Sequence, residues 1–236
     1  MVSLFWLPNL AKRHWNYLMD ASTLDQVLAQ LPEALAAYPQ PLIDGLDEDS
    51  ATPFRILIAT ILSLRTKDTL TATVTPRLFA LAATPSALLA LKEDYLAQLI
   101  YPVGFYRTKA RSIRATCAQL LERYGGEVPN DLNELLTLPG VGRKTANLVL
   151  TKGFGLPGIC VDTHVHRICN RWGYLQTKDP TATEFALRAK LPPPHWIALN
   201  GLLVTLGQNI CHPTSPRCSI CPVASFCAKV GVTRKR

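Results

Sequence analysis

The chain has 236 residues, of which 48 % are hydrophobic and 18 % charged: enough apolar material for one large core or two modest ones, and too much for a disordered polymer. Its 25 Lys and Arg against 17 Asp and Glu leave a net charge of +8, which suits a polyanionic partner because neutralised phosphates release counterions, and suits a basic soluble enzyme equally well. The longest largely apolar run, residues 56–64, lies between Arg55 and Arg65 and is too short to cross a bilayer, so no membrane partner is expected.

Residues 5–15 are rich in aromatics, and they read as a surface helix or as sequence upstream of a start at Met19. Their apolar stretch precedes Lys12 and Arg13, holds Pro8 and has no small-residue cleavage site, so a secretion signal is not expected and the chain reads as cytosolic. Leu24, Val27, Leu28 and Leu31 then keep a helical period, and a Pro-containing break follows at 40–50. Residues 56–64 suit a buried helix with Ile56, Ala59, Thr60 and Leu64 on one side. Helical patterns recur at 86–100, 108–124, 131–138, 143–153, 163–172, 181–190 and 195–207, with a second break at 155–158. Alternation of apolar and polar residues is almost absent, and the fold class is read as all-α. Tyr101-Pro102-Val103-Gly104 with Lys109-Ala110 loosely echoes Leu138-Pro139-Gly140-Val141-Gly142 with Lys144 and Ala146, as two similar helix–turn–helix units would.

Residues 130–150 carry the most information. Asn130 can cap a helix with Leu132, Leu135 and Leu136 on its apolar face, and Pro139 ends it. Gly140 and Gly142 permit a tight turn that lets the backbone approach a ligand. A second helix from Arg143 would offer free N–H groups and its positive dipole end to a phosphate, with Arg143 adding charge. Lys144, an amine beside that end and beside Arg143, should lose its proton more readily than a free lysine, and taken alone it reads as a phosphate contact. Asp162 precedes an amphipathic run containing Val165, Ile168 and Cys169 and would cap its helix.

Four of the seven cysteines fall at Cys211, Cys218, Cys221 and Cys227, in a proline-rich tail too poor in apolar residues to fold without a metal. In a reducing compartment such clustering points to metal, not disulfides. Gaps of six, two and five residues contain a single Cys-x2-Cys knuckle, which favours a [4Fe–4S] cluster and leaves structural zinc open. Cys117, Cys160 and Cys169 are isolated and read as small buried hydrophobes.

The run Leu138-Pro139-Gly140-Val141-Gly142-Arg143-Lys144-Thr145-Ala146, then Val161-Asp162-Thr163-His164, then the four cysteines, resembles the endonuclease III family of helix–hairpin–helix DNA glycosylases, over about residues 53–227. The resemblance implies two helical lobes: a six-helix barrel over 46–157 containing the hairpin, and a cluster lobe combining 1–45 (1–18 as a possible extension) with 158–236 and the iron–sulfur loop 211–227. It implies a base-excision glycosylase and abasic-site lyase that removes oxidised pyrimidines from double-stranded DNA, as a nucleoid-associated cytoplasmic monomer. Lys144 takes the nucleophile's position, and Asp162 that of a catalytic aspartate. Gly140, Val141, Gly142, Arg143, His164 and Arg217 fall at the DNA surface, and the four cysteines hold the cluster, whose role is structural. Arg65 stands where the family commonly has a glutamine that fills the gap left by an extruded base, which puts substrate range in question, and Phe105 falls at an apolar wedge. A monofunctional glycosylase and a non-catalytic hairpin protein are the alternatives.

Overall fold

Proline and short polar side chains set where the helices begin. The computed structural model describes residues 19–43, 45 and 51–236, so the aromatic-rich stretch before Met19 lies outside the described residues. Thr52, Thr84 and Asp179 each accept a hydrogen bond from a first-turn N–H and are each followed by a proline, which starts α2 (Pro53–Ser63), α4 (Pro85–Ala90) and α10 (Pro180–Lys190). Asp20 caps α1 (Ala21–Leu35) in the same way.

Eleven α-helices and no strand occur among the described residues, in keeping with the all-α reading. α2 is buried on every side from Phe54 to Leu62 except at Arg55, as expected of a helix that is apolar all round. Around it pack α3 (Asp68–Leu81), α6 (Tyr106–Tyr124), α8 (Arg143–Leu148) and the π-helical turn Val149–Gly153. α4 and α5 (Glu93–Leu99) lie on α6, and α7 (Leu132–Thr137) on α8. This apolar cluster runs from Phe54 to Leu150. A second one joins α1 to α9 (Thr163–Arg171), α10 and α11 (Trp196–Asn209), centred on Trp172, Leu199 and Leu203. The chain thus leaves one core after α1 and returns to it only at Ile159. Gln208 on α11 donates to Asp68 on α3 at 2.9 Å, tying the two bodies at the cleft between them.

Two sequence readings need correction, and α3 is a helix that the sequence patterns did not include. α3 has no clear apolar period because threonines take half its buried positions: Thr71, Val74, Thr75 and Leu78 face inward. The pattern at 86–100 is two helices, broken at Leu91 and Lys92, which are extended. Arg114 of α6 donates to the carbonyls of Leu89 and Leu91 at that break, so the lost helical bonds are replaced. The expected helix 143–153 widens into the π-helical turn, whose Gly153 lies so close to Pro53 of α2 that a Cβ there would sit 3.0 Å from its Cα.

Candidate active site and cysteine centre

The hairpin is built from α7, a turn, and α8. Asp131, not Asn130, caps α7: its Oδ1 accepts from the N–H groups of Asn133 (2.8 Å) and Glu134 (3.0 Å). Gly140 has φ +79, and a Cβ on it would come within 3.0 Å of Ser112 on α6, so this glycine serves the turn and its packing. Gly142 has an ordinary extended φ and open space where a Cβ would be, which leaves the backbone before α8 approachable. Val141 turns its side chain into the first core, so only its main chain is available to a ligand.

Arg143 is not the free cation the sequence suggested. Its Nε and Nη2 grip Glu184 of α10 at 2.7 and 2.6 Å, and its guanidinium lies 4.7 Å from the Phe185 ring. Glu184 is nearly inaccessible and also accepts from Asn147 (3.1 Å) and Arg188 (3.0 Å). Burial pushes the Glu184 carboxyl up, but the bonds from Arg143, Arg188 and Asn147 outweigh it and leave it below the ordinary carboxylate range. The stabilisation is therefore present above that range and lost as pH falls through the lowered value. Arg143→Ala is expected to cost about 1–3 kcal/mol, lowering the thermal midpoint by about 2–4 °C per kcal/mol. An unchanged midpoint would show that the pair does not latch α8 to α10.

Lys144, Asp162, His164 and Arg65 line one cleft of about 610 Å³, with Lys67, Asp68, Asn200 and Gln208. Lys144 comes from α8 and Asp162 from the N-cap of α9, so elements of both cores line the cleft. Asp162 Oδ1 accepts from the N–H groups of His164 (2.8 Å) and Val165 (3.0 Å), a helix cap that occupies one carboxylate oxygen. His164 Nδ1 lies 3.0 Å from Arg167 Nη2, and because a guanidinium only donates, Nδ1 accepts and the ring proton sits on Nε2. Burial holds the His164 pKa below its usual value, with the Arg167 and Lys144 charges adding and Asp162 and Asp68 opposing. The imidazole is thus neutral at pH 7. Gly207 has no room for a Cβ against this ring.

Phe105 does not line the cleft but stands beside it, exposed, with its ring 5.8 Å from the Arg65 guanidinium. Arg217 is exposed on the cysteine loop, away from the cleft.

Cys211, Cys218, Cys221 and Cys227 ring a single hollow closed by Trp172, Leu206 and Ile210. Arg171 Nη1 donates to Cys211 Sγ at 3.3 Å, and the Lys229 N–H to Cys227 Sγ at 3.4 Å. Burial raises the Cys227 thiol and pushes Cys221 up to about 11, with the neighbouring cysteines adding to both. Four sulfurs in a dry hollow, met by N–H donors, suit a multi-iron cluster that carries their negative charge. Four cysteine thiols around one hollow are the donor set that a [4Fe–4S] cluster requires. Arg167 and Arg171, four apart on α9, hold the loop from beneath: Arg167 donates to Cys211 O (2.8 Å), and Arg171 to His212 O (2.6 Å) and Pro213 O (2.5 Å). Sequence reasoning missed both, although their i, i+4 spacing was a visible signal. Cys117 and Cys169 are buried thiols pushed up to about 12, and Cys160 is buried too, as their isolation suggested. Cys221→Ser is expected to abolish iron content and visible absorbance and to lower the midpoint by roughly 10 °C or more, at about 2–4 °C per kcal/mol lost. Retention of full iron would exclude Cys221 as a ligand.

Comparison with known proteins agrees with this geometry. Residues 58–193 match the HhH-GPD superfamily base excision DNA repair proteins, and residues 211–227 the iron–sulfur binding domain of endonuclease III. Endonuclease III of Thermotoga maritima is 48 % identical over 175 residues, covering 74 % of this chain and 82 % of that protein. Endonuclease III-like protein 1 of Mus musculus is 44 % identical, with 75 % of this chain matched to 62 % of its length. Endonuclease III homolog 2 of Arabidopsis thaliana is also 44 % identical, and the match spans 74 % of this chain but only 47 % of that protein. A solved structure of a trapped endonuclease III–DNA covalent intermediate superposes with a TM-score of 0.79 at 36 % identity, over 89 % of this chain and 96 % of the other.

Proposed function

Because this chain belongs to the endonuclease III family of HhH-GPD base excision repair DNA glycosylases, we propose that it removes oxidised pyrimidines from duplex DNA and cuts the resulting abasic strand through a Schiff base on Lys144. The observation that carries this reading is that Lys144 and Asp162 line one cleft large enough for an extruded nucleotide. Reactive C1′ is out of reach inside a stacked duplex, so the nucleotide must first be flipped into that cleft. Lys144 Nζ, once neutral, attacks C1′, the N-glycosidic bond breaks, and the base leaves with its electron pair and a proton. Opening of the sugar gives an iminium at C1′. It acidifies the C2′ hydrogen, whose removal expels the 3′ phosphate by β-elimination. Asp162, with Oδ2 not used in capping, faces the positive charge that builds on sugar and amine.

The protein carries a [4Fe–4S] cluster, and Cys211, Cys218, Cys221 and Cys227 are placed to hold it. Bound there, it supplies four iron–thiolate bonds that fix a loop with little apolar content of its own. Arg217, exposed on that loop, then meets a DNA phosphate without reading sequence.

A panel of duplexes with single defined lesions, each treated with and without borohydride, tests the whole reading. Thymine glycol is expected to be released with strand cleavage, and an abasic site to give a stable protein–DNA adduct. Base release without an adduct would indicate a monofunctional glycosylase, and neither product would indicate a binding protein.

A further inference from the structure

Lys109 is a buried lysine that the reaction does not use. It lies in the first turn of α6, one turn after Phe105, and reaches back across to the end of α2. Its ammonium has three N–H donors and meets three oxygens: Leu62 O at 2.7 Å, Leu64 O at 2.6 Å and Thr66 Oγ1 at 3.0 Å. The two carbonyls belong to the C-terminal end of α2 and the loop behind it, where a helix dipole favours a cation. Thr66 Oγ1 also accepts from the Gly104 N–H at 3.2 Å, so one hydroxyl joins the loop after α2 to the loop before α6. Gly104 lies against that loop, and a Cβ on it would come 2.8 Å from Arg65 O.

Each of the two joined loops holds a large side chain in the left-handed region, Arg65 at φ 53 and Phe105 at φ 58. Neither residue gains from that conformation by itself, and such backbone persists where its surroundings over-determine it. Here the surroundings are the lysine, the shared hydroxyl and the close glycine. Their effect is to present the exposed Phe105 ring and the Arg65 guanidinium side by side at the mouth of the cleft.

The geometry points to Lys109 as the positioning residue for opening the duplex: its three bonds lock the two loops so that Arg65 and Phe105 enter the DNA as one rigid pair. This rests on the base-excision reading, since it supposes that a nucleotide is extruded. Phe105 wedges between bases on one side, and Arg65 takes the vacated space and its hydrogen-bonding edges. Without the lock the loops relax out of the left-handed region, and part of the binding energy goes into ordering them again. Chemistry at Lys144 is untouched.

Lys109→Met keeps the stem and removes the donors. Two measurements separate duplex opening from chemistry. In the first, enzyme binds a duplex with a non-cleavable tetrahydrofuran site opposite 2-aminopurine, whose fluorescence rises when it is unstacked. Wild type is expected to raise it and Lys109→Met to leave it near the value of free duplex. In the second, borohydride crosslinking is timed on an abasic site in fully paired DNA and in a bubble with unpaired flanks. The variant is expected to be slower by about 10-fold to 10²-fold in paired DNA and within about threefold of wild type in the bubble, as displacement of a positioning group predicts. Equal losses on both DNAs, or a full fluorescence rise in the variant, would overturn the proposal. If Lys109→Met does not fold, Thr66→Val, which removes only the shared hydroxyl, is expected to show the same pattern at smaller size, and a wild-type pattern there overturns it equally. Failure of wild type to crosslink would count against the lyase reading and leave the fluorescence test standing.

Discussion

Replacing Lys144 by Ala is expected to eliminate the borohydride-trapped adduct and to slow base release by on the order of 10³-fold or more, with the thermal midpoint almost unchanged. The separation of activity from stability follows from the way Lys144 is held. Its amine makes no hydrogen bond or ion pair among the described residues, while its backbone carbonyl accepts from Cys160 Sγ at 3.5 Å. The contact between α8 and the segment before α9 therefore survives truncation, and Ala is at least as good a helix former as Lys. Only the cleft-facing charge disappears. Lys144→Gln should behave alike, since length without a nucleophilic amine cannot make the covalent bond. An undiminished crosslink in either variant would falsify the nucleophile assignment.

Asp162→Asn should leave the fold alone and still cost about 10²–10⁴ in single-turnover rate. On the proposed reading the carboxylate has two tasks. Oδ1 receives both capping N–H groups, and an asparagine amide oxygen can do the same with a loss of less than about 1 kcal/mol, because Asn and Asp are near equals at this position. What Asn cannot supply is the negative charge facing Lys144 and the developing sugar cation. Asp162→Ala, by contrast, should lose the cap as well and unfold about 2–4 °C earlier per kcal/mol. Parallel melting and rate measurements on the three proteins distinguish a cap from a catalytic group, and full activity in Asp162→Asn would reduce the residue to a cap.

Much of this site could be read before any coordinates, because its parts are local. The glycines of the hairpin, the lysine after them and the cysteine spacing are patterns within short stretches. Helix existence was legible for the same reason wherever apolar residues recur at the helical period. What escaped was relational. Nothing near Arg143 announces that a glutamate forty-one residues later will pair with it, so the sequence showed the charge and not the latch. α3 escaped because threonine, whose methyl group packs and whose hydroxyl can bond to the preceding turn, does not register as apolar. Lys109 stood in plain view as the counterpart of Lys144 in the weak echo between two helical hairpins. Its burial, and the three oxygens it gathers from another helix end, depend on packing that no local spacing encodes.

The route of the chain through its two cores sets a schedule for synthesis. Leu24, Val27, Leu28, Leu31 and Leu35 of α1 belong to a core whose other helices, α9, α10 and α11, are made more than a hundred residues later. At about 5–20 residues per second, the roughly 160 residues from Leu35 to Leu199 take on the order of 8–30 s to emerge. Through that interval the first core can fold while α1 hangs beside it as an amphipathic strip with a bare greasy face. A nascent chain in this state is a natural client for a holdase until α11 is made.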